Sequence, residues 1–268
     1  MEKFEPDLYL NFRPTYPTGL FSGARQLLIQ NRFAEPFSVA DVGCGVGHAS
    51  WALCESGWRA HCIGIEPDPE MISAADSFWR EKNTNPDFHW QIQKGNGENT
   101  GLRAQSVDYA MVASAFHWMD REAAAQELAR ILKPNAILQI FEYQFPKALE
   151  LPTLNEWIRR QFNLHWKAPE QKPRGSLKEL TQVFREKKDF RPIDESPPPM
   201  ILSWSVDELA GFLFSQSRVQ HFVQTLSDPE KQEFSSATRA QLQNEMGSDA
   251  WKFDFKLTSF SFQRVESL

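Results

Sequence analysis

The amino-acid sequence predicts an α/β protein with a mostly parallel sheet and helices on both faces, and three observations carry that expectation. Short apolar runs alternate with helical stretches from Phe37 to Tyr143, a glycine-rich turn closes the first run, and 268 residues is near the size at which one hydrophobic core stops growing. Five strands are expected here: Phe37–Val42, His61–Ile65, Phe88–Gln93, Val107–Val112 and Ala136–Tyr143. Before the last of them, Asp120 is a cap for a helix whose stripe is Ala124, Leu128, Ile131 and Leu132, with Pro134 as its stop.

The texture changes beyond Pro146. Trp157, Ile158, Phe162, Leu164 and Trp166 lie among basic residues, and a Lys- and Pro-rich stretch follows to Gly175. We read residues 147–199 as a helical lid inserted into a single domain spanning residues 1–268. Prolines 197, 198 and 199 form a stiff linker into an apolar strand, Met200–Trp204. Ser205 with Glu208 three residues on is a capping box, opening a helix that buries Val206, Leu209, Ala210 and Leu213. A further helix is expected to start near Asp228 and Pro229. The last strand is placed at Trp251–Phe262, where Phe260 and Phe262 fall on the opposite parity from Trp251, Phe253 and Phe255, so a bulge is expected near Thr258.

Composition removes several function classes. Hydrophobic residues at 41% and charged residues at 24% are ordinary for a soluble chain, and no apolar run approaches the roughly 18 residues of a membrane helix. The start lacks a basic leader with an apolar core, so the expected location is cytoplasmic. A net charge of −6 argues against a general nucleic-acid binder. The three cysteines, Cys44, Cys54 and Cys62, form no Cys-x-x-Cys pair, so neither a disulfide framework nor a metal site is indicated. A small molecule is the expected partner, bound by a monomer or homodimer.

The sharpest motif is V-A-D-V-G-C-G-V-G, Val39 to Gly47, at the end of the first strand. Gly43, Gly45 and Gly47 allow a tight turn and close approach of backbone to a ligand. A dinucleotide site favours exposed N–H groups for a pyrophosphate, whereas Asp41 suits a ligand with an ammonium group and a sulfonium, as in S-adenosylmethionine. The second strand ends in I-G-I-E-P-D, placing Glu66 where a carboxylate accepts hydrogen bonds from ribose hydroxyls. Gly45, Gly47 and Ser50 nearly satisfy the dinucleotide spacing too, so an NAD(P)-dependent oxidoreductase stays open on the loop alone. After the third strand, Asn96 in G-N-G-E is a candidate for an adenine edge or, equally, a residue capping its own turn. After the fourth comes A-S-A-F-H-W-M-D, so Ala113, His117 and Trp118 stand at the carboxyl edge where open parallel sheets hold ligands.

With these residues the sequence resembles the class I S-adenosylmethionine-dependent methyltransferases, specifically the group that includes trans-aconitate methyltransferases. D-V-G-C-G-V-G, I-G-I-E-P-D, the turn at Gly95–Glu98, A-F-H-W-M-D and the early F-R-P-T-Y-P (Phe12–Pro17) carry the likeness, joined by Trp204–Val219. The resemblance implies a Rossmann-like, seven-stranded sheet and S-adenosylmethionine as cofactor. It also implies that Asp41, Gly43 and Gly45 hold the methionine part, Glu66 the ribose, and Asn96 and Gly97 the adenine. Asn96 stands where the group commonly has aspartate, and Gly97 where it has alanine. Arg13 is implied as a clamp for the cofactor's carboxylate, and Tyr9 as a wall of the transfer site.

The expected reaction is methyl transfer to a small acceptor, with a carboxylate oxygen as one candidate, because an ionised carboxylate needs orientation and desolvation but no base. His117 is the candidate base for any other acceptor, although a packing or binding role as a wall residue beside Trp118 is the favoured reading. Trp118 and Trp157 are candidates for an apolar acceptor surface, and Arg159, Arg160, Lys167, Lys172 and Arg174 for anion contacts. A methyltransferase-like module that binds without turnover is the alternative outside enzymes.

Overall fold

A computed structural model describes residues 6–166 and 175–265. Lys167, Lys172 and Arg174 lie outside the described residues. Among the described residues there are ten strands: β1 (Phe37–Val42), β2 (Ala60–Glu66), β3 (Phe88–Lys94), β4 (Val107–Ala113), β5 (Leu132–Tyr143), β6 (Lys147–Ala148), β7 (Phe190–Ile193), β8 (Ile201–Trp204), β9 (Trp251–Asp254) and β10 (Leu257–Arg264). The chain sorts into two compact units, the larger holding residues 15–144, 175–198 and 257–265 and the smaller residues 6–14, 145–166 and 199–256.

The larger unit is a seven-stranded sheet in the order β3-β2-β1-β4-β5-β10-β7, parallel from β3 to β5, with β10 antiparallel to both of its neighbours. The core strands are apolar on both faces, as a sheet covered on both sides requires. Ala40, Val42, Ala110, Val112, Leu138 and Ile140 pack with the helix Arg121–Ile131 and with Phe184. Phe37 and Tyr109 flank Trp58, while Phe141 meets Phe21 and Tyr16. Leu128 is fully buried at that helix contact, which stabilises the fold by about 2 kcal/mol. Asp120 caps the helix by accepting from the Ala123 N–H at 2.9 Å. The helix ends at Ile131, and the chain enters β5 at Leu132 without a turn, so Pro134 lies inside the strand. Strand order reverses between β1 and β4, which opens a crevice at their carboxyl ends.

The smaller unit is a three-stranded antiparallel sheet, β6-β9-β8, with helices that include Pro6–Phe12, Pro152–Arg160, Val206–Phe214 and Asp228–Met246. The Ser205–Glu208 capping box forms, with the Ser205 N–H donating to Glu208 Oε2 at 2.8 Å. Gly211 faces the Phe12 ring so closely that a Cβ there would collide with it, which is why the two helices meet at a glycine. The helix at Asp228 is capped one residue earlier than expected, by Ser227 with Glu230.

The stretch placed as one strand with a bulge is two strands. β9 belongs to the smaller unit's sheet and β10 to the larger unit's, and the break falls at Lys256, whose φ is +35°. The parity change thus marks a change of sheet rather than an extra residue in one. Residues 147–199 are similarly divided. β6 and the helix Pro152–Arg160 belong to the smaller unit, while residues 175–198, with two short helices and β7, belong to the larger.

Candidate functional site

The crevice begins at Asp41, the next-to-last residue of β1. Its carboxylate is fully buried; the Ser50 hydroxyl donates to Oδ2 at 2.7 Å, and Oδ1 is buried with no hydrogen-bond partner among the described residues. Burial pushes its pKa from 3.8 up to about 7, against the opposing pull of the Ser50 hydroxyl and backbone N–H.

The turn that follows carries φ values of +74°, +55° and +87° at Gly43, Gly45 and Gly47, backbone that only glycine adopts cheaply. Its N–H groups already have acceptors: Gly43 and Cys44 donate to Ile65 O at 2.8 and 3.1 Å, Gly45 to Glu66 Oε2 at 2.9 Å, and Gly47 to Cys44 O at 2.9 Å. A pyrophosphate-binding turn needs such groups pointing at the ligand, so this one is unsuited to a dinucleotide. Gly45 faces open space, with nothing within 4 Å of where its Cβ would be.

Glu66 ends β2 at 8% exposure, and burial raises its pKa. Oε2 accepts from Gly45 and Oε1 from the Asp68 N–H at 3.1 Å, so each oxygen keeps a further lone pair. The carboxylate is therefore oriented by the very turn it adjoins.

Asn96 is exposed, and its Oδ1 accepts from the Asn99 N–H at 2.7 Å, so the side chain caps its own turn. Gly97 is buried against Met119, whose side chain occupies the place of any Cβ, and Met119 also lies beside Gly43 with Ala115. These contacts bring the Gly43 turn, the Gly97 turn and the segment after β4 together. The loop is anchored from below: Thr100 donates through both its N–H and its hydroxyl to Glu127 Oε1, at 2.8 and 2.6 Å, and Arg130 pairs with Glu127 at 2.6 Å. Desolvation alone would raise Glu127, but Arg130 and Thr100 outweigh it and hold the pKa at about 2. This contribution is complete above the ordinary 4.5 and is lost as pH falls through 2. Glu127→Ala is expected to destabilise the protein by about 3 kcal/mol in urea unfolding at pH 7, and a loss under about 0.5 kcal/mol would show that the clamp is idle.

Ala113, the half-buried last residue of β4, leads into Ser114 at φ +51°. Ser114 donates its N–H to Phe141 O at 2.8 Å and shares a 2.9 Å hydrogen bond with the Tyr16 hydroxyl. His117 is largely covered, with Nδ1 3.8 Å from Glu142 Oε2, and Trp118 beside it is 51% exposed. The larger unit thus assembles Asp41, Gly43, Gly45, Glu66, Gly97, Ala113 and His117 along one sheet edge.

Tyr9, Arg13 and Trp157 belong to the smaller unit. The Arg13 guanidinium stacks on Tyr9 and Phe212, 4.9 and 5.3 Å from their ring centres, and donates to Ser215 O at 3.0 Å. Trp157 meets Trp166 edge to face. Arg159 is exposed and paired with Glu156, and Arg160 is exposed. Glu142 escaped sequence reading, and Tyr16 and Ser114 lay inside quoted motifs without being singled out. The signal for Glu142 was its place at the carboxyl end of β5, but in a strand it reads as an ordinary polar position. Among the described residues, no group of three or more His, Cys, Asp or Glu side chains is arranged to hold a metal ion, and no helix is long and apolar enough to cross a membrane.

The family of methyltransferase domains matches residues 40–140, from one residue before Asp41 into β5. These residues form a class I S-adenosylmethionine-dependent methyltransferase domain. Curated relatives of the domain include CRG1 of Saccharomyces cerevisiae, named a probable S-adenosylmethionine-dependent methyltransferase, 27% identical over 151 residues. That match takes in 56% of this chain and 50% of CRG1. YcgJ of Bacillus subtilis, named an uncharacterized methyltransferase, is 30% identical over 54% of each chain, and a trans-aconitate 2-methyltransferase of Azoarcus is 27% identical over 48% of this chain and 47% of its own. The chain spans about half the length of the curated relatives it matches. In fold, it superposes on a protein of Anaeromyxobacter dehalogenans described as a candidate type II methyltransferase, with a TM-score of 0.67 at 22% identity, covering 96% of this chain and 100% of that one. The YcgJ structure gives 0.51 at 20% identity, over 91% and 98%. The methyltransferase domain therefore has the Rossmann-like sheet of its class, and S-adenosylmethionine is the methyl donor of that class.

Proposed function

We propose that this chain binds S-adenosylmethionine at the carboxyl edge of β1 and β2 and transfers its methyl group to a small-molecule acceptor. One observation carries the reading: two buried carboxylates, Asp41 and Glu66, flank a glycine turn whose own N–H groups are already engaged. A site of that kind takes a ligand that donates hydrogen bonds and bears positive charge. The unpartnered Oδ1 of Asp41 is an acceptor for the ammonium of the methionine part, with Gly43 shaping the turn and Gly45 giving backbone access, and Glu66 accepts from the ribose hydroxyls. Adenine lies with Gly97 and Met119 in this reading, and Asn96 contributes the shape of its turn rather than a side-chain acceptor. When bound, the cofactor supplies a methyl group already activated on sulfonium. The protein's part is alignment and exclusion of water.

The Azoarcus relative is named for a carboxylate substrate, but that likeness covers less than half of either chain, so the choice of acceptor atom rests on this chain's own site. Calorimetric titration with S-adenosylmethionine, S-adenosylhomocysteine, NAD and NADP tests the reading. The adenosyl pair alone is expected to bind; binding of the nicotinamides, or of none of the four, would sink it. A chain that binds but never releases S-adenosylhomocysteine in the presence of acceptors would be a ligand-binding module instead.

A further inference from the structure

The acid standing beside His117 bears on what the acceptor is. Glu142 is the next-to-last residue of β5, directly opposite Thr258 of β10, and its Oε2 lies 3.8 Å from His117 Nδ1. Both side chains keep limited access to solvent, 25% for Glu142 and 12% for His117. Among the described residues no lysine or arginine pairs with Glu142, and His117 lies within ion-pair range of its carboxylate. On the other face of β5, the Ser114 hydroxyl and the Tyr16 hydroxyl share a 2.9 Å hydrogen bond, and Tyr16 packs against Tyr143 at 5.6 Å. Ser114 is held at φ +51°, a conformation uncommon for a residue with a side chain and often found where a site fixes its geometry.

An ionised carboxylate acceptor has no proton to give up, and it would enter beside a second carboxylate. Neither fact suits the sequence-based expectation of a carboxyl oxygen. A histidine whose Nδ1 stands 3.8 Å from a carboxylate is a small side-chain shift away from the hydrogen bond that fixes the ring tautomer and stabilises the imidazolium formed when a proton is taken up, and catalytic hydrogen bonds commonly tighten only once a ligand is bound.

Resting on the methyl-transfer reading above, we propose that the acceptor group is a hydroxyl, that His117 takes its proton, and that Glu142 is the positioning residue that orients His117. The acceptor oxygen forms its bond to the methyl carbon as the carbon–sulfur bond breaks. The electron pair of that bond stays on sulfur as the neutral thioether, and the hydroxyl proton passes to Nε2 of His117. The products are a methyl ether and S-adenosylhomocysteine, with the imidazolium proton released to solvent afterwards.

The test uses the full chain and Glu142→Gln, which keeps the shape and removes the charge. Methyl-labelled S-adenosylmethionine is offered with a phenol, a benzoate and an aniline sharing one ring. Nitrogen-15 NMR reads the His117 tautomer at pH 8.5, with and without S-adenosylhomocysteine. The expected result is label on the phenol oxygen, a fall in kcat of about 10- to 100-fold in Glu142→Gln with the acceptor KM within about twofold, and unchanged affinity for S-adenosylhomocysteine. The imidazole is expected to carry its proton on Nδ1 in the parent chain and to lose that preference in the variant. Label on the benzoate or aniline alone, equal kcat in both chains, or an Nε2–H tautomer in the parent would each overturn the proposal. Should none of the three compounds be labelled, the tautomer decides by itself. Failure to bind S-adenosylhomocysteine would bring down the methyl-transfer reading and leaves the tautomer measurement readable on the free chain.

Discussion

Glu66→Ala is expected to weaken S-adenosylmethionine binding by about 100-fold while the fold survives. Two hydrogen bonds from ribose hydroxyls to a carboxylate are together worth about 3 kcal/mol, and each tenfold change in affinity is about 1.4 kcal/mol. The substitution also strips the Gly45 and Asp68 N–H groups of their acceptor, so part of the loss arrives through the turn. Glu66→Gln separates the two effects, because an amide oxygen still accepts one backbone N–H; its affinity is expected to lie between those of the parent and the alanine variant. Calorimetry measures both, with circular dichroism as the check on folding. An alanine variant that binds as tightly as the parent would mean that the ribose is held elsewhere.

Asp41→Asn is expected to move stability and binding in opposite directions. Asp41 titrates near 7 in the folded chain against 3.8 ordinarily, so between those values the folded protein retains a proton that the unfolded chain has released. The associated stability is complete below about pH 3.8 and is lost as pH rises through 7, leaving the parent with a penalty of about 4 kcal/mol above that point. An asparagine carries no such penalty. The free variant should melt several degrees higher than the parent at pH 8, show no such advantage at pH 4, and bind S-adenosylmethionine at least about tenfold more weakly, having lost its charge for the ammonium. Thermal melts at the two pH values and one titration decide it. A variant less stable than the parent at pH 8 would show that the carboxylate is compensated by something other than a ligand.

The same two carboxylates show which parts of the molecule local sequence can report. β1 to β4 were placed within a residue or so, because each is a short apolar run closed by a turn signal, and Asp41 and Glu66 follow by position at strand ends. The capping box at Ser205 is equally local. What escaped depends on partners distant in sequence. β7 is four residues long and contains Pro192, so it reads as linker until β10 pairs with it. The division of residues 251–264 between two sheets is decided by which strands lie alongside, β8 and β6 for one half and β5 and β7 for the other. Glu142 gains its interest from a histidine 25 positions earlier, a relation that only the β4–β5 pairing creates. Met119, likewise, explains Gly97 only once the two loops are seen in contact.

Behind the glycine turn, the indoles of Trp79 and Trp90 lie 4.7 Å apart and within 6° of parallel, with Trp51 and Phe88 against them and the Trp79 Nε1 turned toward Gly47. Two indole transitions held that close couple as an exciton, which gives a split signal of opposite signs in ultraviolet circular dichroism. Its amplitude depends on the angle and spacing of the rings. Because one ring rests on the last glycine of the turn, a rearrangement of that backbone when a ligand enters reaches the pair directly. The protein therefore carries its own optical gauge of the turn's conformation, readable without a label, an acceptor or a catalytic cycle.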